Sequence, residues 1–270
     1  MEQTYKRVLT IAGSDPSGGA GIQADIKTIS ALGCFATSAI VAVVDENTLG
    51  VTGVHPVPVD FVVGQIHSVL DDIGTDAVKI GMLHSSELVR AVRRALDEYP
   101  RIRDIVLDPV MVATSGDPLL EADAVATLRD ELVPRARVIT PNIPEAELLL
   151  DRSITTQEEL PDAARDLARL GASVLLKAGH LADTELVDIF YNAETGRMTR
   201  LPAPRVATRN THGTGCTLSS AFAASLAKGM PLDEASRAAK AYIAAAIAAG
   251  ARYRVGRGRG PVHHFHPFWQ

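Results

Sequence analysis

The chain has 270 residues, 46% apolar and 22% charged, which is enough to bury a large core and wrong for a disordered protein. Its 27 basic and 32 acidic residues leave a net charge of −5, so no global field draws it to nucleic acid or to an anionic membrane. Two cysteines, Cys34 and Cys216, exclude a disulfide framework and a cysteine-rich zinc site and fit a reducing cytoplasm.

Met1 to Arg7 lead straight into a strand-like run without a signal-peptide pattern. Val8-Leu9-Thr10-Ile11-Ala12-Gly13 is short, apolar and β-branched, as a buried strand requires. Ser14 to Gly21 form a glycine-rich loop, and Ile22–Leu32 have helical spacing. The pattern then repeats. Strands are expected at Ser38–Val44, Ala77–Ile80, Asp104–Leu107, Arg137–Ile139 and Ser173–Leu176. Helices are expected at Asp60–Asp71, Glu87–Glu98, Glu121–Leu132, Gln157–Leu170, Cys216–Lys228 and Leu232–Ala249. Glu185–Tyr191 and Met198–Leu201 read as an edge hairpin. Ala241–Ala251, the longest apolar stretch, falls far short of the roughly 20 residues that span a bilayer.

Near-continuous apolar strands alternating with amphipathic helices predict an α/β fold, a mostly parallel sheet covered on both faces. No linker or composition shift divides the chain, so one domain over residues 1–270 is expected. Ligands of such sheets bind beyond the carboxyl ends of the strands, and here the loops at those ends are rich in Gly, Asp, Asn, Glu and Pro.

Several nucleotide-binding chemistries can be tested on these loops. A P-loop requires Lys and Ser/Thr after its last glycine, whereas the first loop has Ala20 and Gly21 there. No G-x-G-x-x-G follows the first strand, which removes the dinucleotide fingerprint. A second polar, glycine-rich stretch, Arg209 to Cys216, passes directly into a helix of small and apolar residues. Gly213 and Gly215 free the backbone there, and the helix N-terminus offers N–H groups and a positive dipole end to an anion. A plain glycine turn with a small buried cysteine fits the same spacing.

Asn142-Ile143-Pro144-Glu145 has two readings: hard oxygen ligands for Mg²⁺, or a helix cap with an acidic first turn. Lys177 ends an apolar strand, either reaching a phosphate or lying at the surface, and Asp108 is either a metal-site acid or a turn former. Cys34 reads as a packed thiol. His263, His264 and His266 lack acidic or thiol partners at ligand spacing, which argues against a metal site. Arg252, Arg254, Arg257 and Arg259 are too few on an acidic chain for an RNA-binding tail and read as a flexible segment near the nucleotide or a neighbouring subunit.

Thr10 to Asp25, Lys79-Ile80-Gly81-Met82-Leu83, Leu107-Asp108-Pro109-Val110-Met111, Thr140-Pro141-Asn142 with Glu145, Asn210 to Ser219 and Gly260 to His266 occur in order along the chain. Together they resemble the hydroxymethylpyrimidine/phosphomethylpyrimidine kinases of thiamine biosynthesis. The resemblance implies a three-layer αβα ribokinase-like fold and phosphoryl transfer from ATP with Mg²⁺ to a small pyrimidine. It further implies Gly213, Thr214, Gly215 and Cys216 as the anion hole, with Cys216 the base on the attacking oxygen. Asn142, Glu145 and Asp108 would lie by the metal. Lys177 would meet the ATP phosphates, with Thr211 and His212 near the nucleotide. Gly13, Ala20, Asp25, Val44, Glu46, Met82 and Val110 would line the pyrimidine pocket. Family habit implies a homodimer.

Local chemistry agrees with these roles: a thiol at a helix N-terminus has a lowered pKa, so Cys216 reads either as a thiolate that accepts the substrate proton or as a group that only orients the substrate. Two positions depart from the family pattern. Glu46 stands where many members carry Gln, and Ala178 where Gly is usual. A carboxylate only accepts hydrogen bonds, whereas an amide also donates, so Glu46 is expected to shift preference between the free alcohol and its monophosphate. Pyridoxal kinases share the fold and the terminal Gly-x-Gly-Cys and form the nearest enzymatic alternative. A non-catalytic vitamin-binding regulator would be expected to lose Asn142, Glu145, Lys177 or Cys216, and all four are present.

Overall fold

The computed structural model describes residues 4–111, 123–181 and 185–269. In chain order the first elements are β1 (Arg7–Ala12), α1 (Gly21–Ala31), β2 (Phe35–Ile40), β3 (Ala42–Asn47), β4 (Gly50–Pro56) and α2 (Val59–Asp72). They are followed by β5 (Ala77–Ile80), α3 (Ser86–Asp97), β6 (Ile105–Leu107), α4 (Ala124–Thr127), β7 (Val138–Ile139) and α5 (Ile143–Leu150). The chain closes with α6 (Leu160–Ala168), β8 (Ser173–Leu176), β9 (Glu185–Asn192), β10 (Arg197–Pro204), α7 (Thr214–Ala227) and α8 (Leu232–Gly250).

The main sheet has the order β10-β9-β8-β7-β6-β5-β1-β2. From β2 to β8 every pairing is parallel; β9 and β10 add the expected antiparallel hairpin at one edge. Strand periodicity sends successive residues to opposite faces. Thus Ile105 and Leu107 enter the core formed with α2, α3, α5 and α6, whereas Val106 enters the core formed with α1, α7 and α8. Helix α7 is buried on all sides from Thr217 to Ala227, which its small residues permit. Its first turn is thereby pressed against the carboxyl ends of the strands.

Four expectations change. The strand expected at Ser38–Val44 breaks at Val41, whose N–H donates to Ala12 O at 3.0 Å as the last contact with β1. Beyond it β3 leaves the sheet and pairs antiparallel with β4 as a separate two-stranded flap. Strand β4 has no apolar run, because most of its side chains are half-buried or exposed. Helix α5 supplies a full element where only a helix start was read. The helix expected at Glu121–Leu132 begins partly outside the described residues; α4 runs on into a π turn at Leu128–Leu132, with Val133 N–H bonded to Leu128 O. Pro134, lacking an N–H, cannot continue an α-helical ladder there. The helix expected at Gln157–Leu170 starts as a 3-10 turn at Gln157–Glu159 before α6.

Candidate active site

The loop after β1 is organised by Asp15. Its carboxylate is buried and accepts from Ser17 N–H at 2.7 Å, Ser17 Oγ–H at 3.0 Å, Gly19 N–H at 3.0 Å and Ala20 N–H at 2.7 Å. His212, from the loop before α7, brings its Nε2 to 2.8 Å from Asp15 Oδ2 and 3.8 Å from Glu46 Oε1. Burial works against protonation of His212, but the hydrogen bond to Asp15 and the charges of Asp15 and Glu46 win and raise its pKa. Burial likewise opposes ionisation of Asp15; its donors, His212 foremost, hold it well below the usual carboxylate range. His212 therefore clamps the β1 loop, the α7 loop and the flap together. The ligand-type atoms of Asp15, Glu46 and His212 lie within 4.8 Å of one another, and these hydrogen-bonding roles account for that geometry. His212, expected near the nucleotide, thus faces Glu46 on the flap side.

The clamp explains the glycine ahead of α7. Gly213 has a left-handed φ of +76°, and a Cβ there would overlap the Gly19 carbonyl. It caps α7 without a side-chain hydrogen bond, so the first-turn N–H groups of α7 face the rim where Thr214, Gly215 and Cys216 begin the helix.

Beneath that turn lies a buried ion pair absent from the sequence reading. Lys79 and Asp25 are both 0% exposed, with Lys79 Nζ 2.8 Å from Asp25 Oδ2. Thr10 Oγ1 donates to the same oxygen at 2.6 Å, and Ser220 Oγ donates to Asp25 Oδ1 at 2.8 Å. Asp25 was expected to line the pyrimidine pocket; its carboxylate is instead enclosed and engaged within the core. Burial alone would lower the Lys79 pKa, but the charge of Asp25 foremost, with that of Asp108, raises it.

Cys216 is half-buried beside this pair. Burial pushes its thiol up to about 12; Lys79 and a hydrogen bond from the Gly21 backbone pull it down, while Asp25 and Asp108 push it further up. Desolvation and the two carboxylates thus oppose the thiolate expected at the helix N-terminus.

The ends of β6, β7 and β8 form the third part of the site. Asp108 accepts from Thr140 Oγ1 at 2.9 Å and from Lys177 Nζ at 3.0 Å, and Lys177 Nζ lies 3.9 Å from Glu145 Oε2. Asn142 and Glu145 form a capping box: Glu145 N–H donates to Asn142 Oδ1 at 2.9 Å, and Asn142 N–H donates to Glu145 Oε2 at 2.7 Å. The cap reading is thus correct, and the same residues also sit beside Lys177. Burial raises Glu145 to about 7, with Asp108 adding to the effect and Lys177 opposing it. A Cβ on Gly215 would lie 3.1 Å from Asp108 Oδ2 and 3.3 Å from Lys177 Nζ, so the first turn of α7 abuts this cluster.

On the flap side, a Cβ on Gly13 would meet Met82 Cε at 2.8 Å and Val44 Cγ2 at 3.7 Å, which places these three residues together. Val110 packs on the same core, and Ala20 joins through its bond to Asp15. Thr211 turns the α7 loop by donating its N–H to Arg209 O at 3.1 Å. The arginine-bearing C-terminal segment, read as flexible, instead straps the flap: Gly258 N–H donates to Thr48 Oγ1 at 3.1 Å and Arg259 N–H to Thr48 O at 2.8 Å. The signal was a glycine at every second position, 256, 258 and 260, as a close backbone approach requires.

Residues 15–263 match the phosphomethylpyrimidine kinase family. The chain belongs to this family. It is 52% identical over 264 residues to the hydroxymethylpyrimidine/phosphomethylpyrimidine kinase of Rhizobium meliloti, covering 97% of this chain and 98% of that one. The phosphomethylpyrimidine kinase structure from Clostridium difficile 630 superposes with a TM-score of 0.78 at 40% identity, covering 88% of this kinase and 97% of that chain. An ADP complex of Bacillus subtilis pyridoxal kinase superposes with a TM-score of 0.88 at 36% identity, covering 97% and 98% of the two chains. The α/β architecture of this kinase, including the edge hairpin, is the one these structures share.

Proposed function

We propose that this kinase transfers the γ-phosphoryl group of ATP to 4-amino-5-hydroxymethyl-2-methylpyrimidine phosphate, and also to the free hydroxymethylpyrimidine, in thiamine biosynthesis. The observation that carries the reading is the meeting, at the first turn of α7, of an anion cradle with the Asp108–Lys177–Glu145 cluster. Phosphoryl transfer needs positioning and charge neutralisation more than covalent help, and this arrangement offers both. In this reading Gly213 to Cys216 hold the transferring group by backbone N–H groups. Lys177 draws the phosphates of ATP, and Thr211 lies by the nucleotide. Gly13, Ala20, Val44, Met82 and Val110 receive the ring, with Glu46 at its polar edge.

Burial lifts Glu145 to about 7 with one ammonium shared between it and Asp108, a set of hard oxygen donors that suits Mg²⁺. Glu145, Asn142 and Asp108 would hold the ion, which would offset the negative charge of the phosphates. Cys216, protonated at rest, orients the acceptor oxygen by a hydrogen bond. An ionised phosphate acceptor needs no base, whereas the alcohol must lose a proton. The protein acts as one kinase domain over residues 1–270, in the cytoplasm and as a homodimer; among the described residues no helix is long and apolar enough to cross a membrane.

A second reading, pyridoxal kinase, is favoured by the fold match to the Bacillus subtilis enzyme. ATP turnover on hydroxymethylpyrimidine, its monophosphate, pyridoxine and pyridoxal separates the two. Turnover confined to the pyridines would overturn the pyrimidine reading.

A further inference from the structure

Asp188 and Lys240 form a further ion pair that none of the roles above uses. Lys240 Nζ, on α8, lies 2.6 Å from Asp188 Oδ2, on β9, and the two side chains are 14% and 7% exposed. The surroundings of Asp188 are apolar: Ile189 and Phe190 follow it, and Leu201 stands opposite it on β10, all three buried. A carboxylate placed there loses its hydration, and its attraction to one ammonium offsets that loss only in part. Such a pair adds little to stability beyond what apolar side chains of the same volume would give. The other carboxylate oxygen shows what Asp188 holds. Asp188 Oδ1 accepts the N–H of Ala178 at 2.8 Å.

Ala178 directly follows Lys177. The pairing of β8 with β9 ends at Leu176, opposite Ile189. One residue further on, Lys177 N–H donates to Pro141 O at 2.9 Å, on the β7 side. The next N–H, that of Ala178, turns to the Asp188 carboxylate on the β9 side. The backbone is thus pinned on both sides of the Lys177 Cα. Ala178, at the position where Gly is usual in the family, is fully buried, and its methyl adds a third anchor in the core formed with α5 and α6. From this base the Lys177 ammonium reaches Asp108 at 3.0 Å and Glu145 at 3.9 Å, beside the first turn of α7.

We propose that Asp188 is a positioning residue for Lys177: it takes the Ala178 N–H where the β8–β9 pairing has ended, and so fixes the backbone from which the ammonium is aimed. A lysine ammonium rides on a flexible four-carbon stem, so its place depends on both ends of the side chain. Asp108 and Glu145 hold the far end, and Asp188 holds the near one. Lys240 balances the charge of Asp188 from α8 and takes no part in the reaction. Misplacing a group at the reacting centre by about 1 Å can cost on the order of a hundredfold in rate, which makes this remote carboxylate matter. The inference rests on the placement of Lys177 at the phosphates of ATP, proposed above.

Steady-state kinetics of the full chain, with ATP and acceptor varied in turn, test this beside calorimetric melting. The acceptor is whichever compound of the panel above turns over, so the test does not depend on the pyrimidine reading. In Asp188→Ala, kcat/KM for ATP is expected to fall by about tenfold while KM for the acceptor stays unchanged. Lys240→Met keeps the Ala178 bond but leaves the carboxylate unpaired, so it should melt lower with kcat/KM for ATP close to wild type. Asp188→Ala/Lys240→Met removes both charges, so it should melt near wild type yet keep the loss towards ATP; it also carries the comparison if Asp188→Ala does not fold. Asp188→Asn, whose amide oxygen can accept from Ala178 N–H, should recover most of that loss. ATP kinetics that follow the melting temperature across these variants, or wild-type kinetics in the double variant, overturn the proposal. Lys177→Met tests the premise. If it leaves kcat/KM for ATP unchanged, Lys177 does not serve the phosphates and the proposal falls with that reading. A large loss in Lys177→Met with none in Asp188→Ala overturns the role of Asp188 alone.

Discussion

The ion pair of Lys79 and Asp25 makes a sharp test of how the core supports the site. Both side chains are 0% exposed, so neither charge can recover hydration if its partner is removed. Lys79→Met keeps the volume but leaves the Asp25 carboxylate enclosed with only the hydroxyls of Thr10 and Ser220. Breaking a buried pair from one side costs about 3–5 kcal/mol. At about 2–4 °C per kcal/mol for a large domain, that predicts a melting temperature lower by roughly 6–20 °C. Adding Asp25→Asn removes the orphaned charge while its amide oxygen still accepts from one of the two hydroxyls and its amide N–H can donate to the other. The double variant should therefore recover most of the loss. Calorimetric melting of the wild type, both single variants and the double variant closes the cycle. A Lys79→Met protein as stable as wild type, or a double variant no better than the single ones, would refute the reasoning. Lys79 also lowers the Cys216 thiol, so iodoacetamide should alkylate Cys216 more slowly in Lys79→Met.

Three further outcomes follow from the site. Cys216→Ala should slow phosphorylation of the alcohol by about tenfold but that of the monophosphate by only about twofold, since one orienting hydrogen bond is lost and the phosphate has other oxygens to present. Single-turnover rates on both acceptors measure this, and equal losses count against it. Glu46→Gln should change the ratio of kcat/KM for alcohol and monophosphate by about tenfold or more; a flat ratio removes Glu46 from substrate choice. The His212–Asp15 clamp has a defined pH window. Asp15, lowered from 3.8, contributes stability above that value and loses it as pH falls through its depressed pKa. His212, raised from 6.5, contributes below that value and loses it as pH rises through its elevated pKa. The stability gap between wild type and His212→Gln should therefore shrink as pH rises above 6.5 through the raised pKa of His212, and a constant gap in urea titrations would rule out the imidazolium.

What could be read from the sequence depended on whether the determining forces were local. β1, β5, β6 and β8 are short, mostly apolar runs, buried on both faces apart from Arg7, so composition marks them. The flap was half legible, because β4 is mostly exposed and takes its form from pairing with β3 rather than from its own pattern. Lys79 carried a signal that went unused: a lysine inside the buried strand Ala77–Ile80 demands a counter-charge. Its partner stands 54 positions earlier, on α1, and only the folded chain brings the two together. Cys216 shows the same limit for reactivity. The helix N-terminus is a local feature and predicts a thiolate, whereas burial and the carboxylates of Asp25 and Asp108 arrive from distant segments and reverse the sign. The motif pointed to Cys216 at the helix start, and only the folded chain shows which distant groups act on its thiol. A thiolate at Cys216 would need added positive charge beside it, because burial and the carboxylates of Asp25 and Asp108 oppose it and anionic substrates would oppose it further.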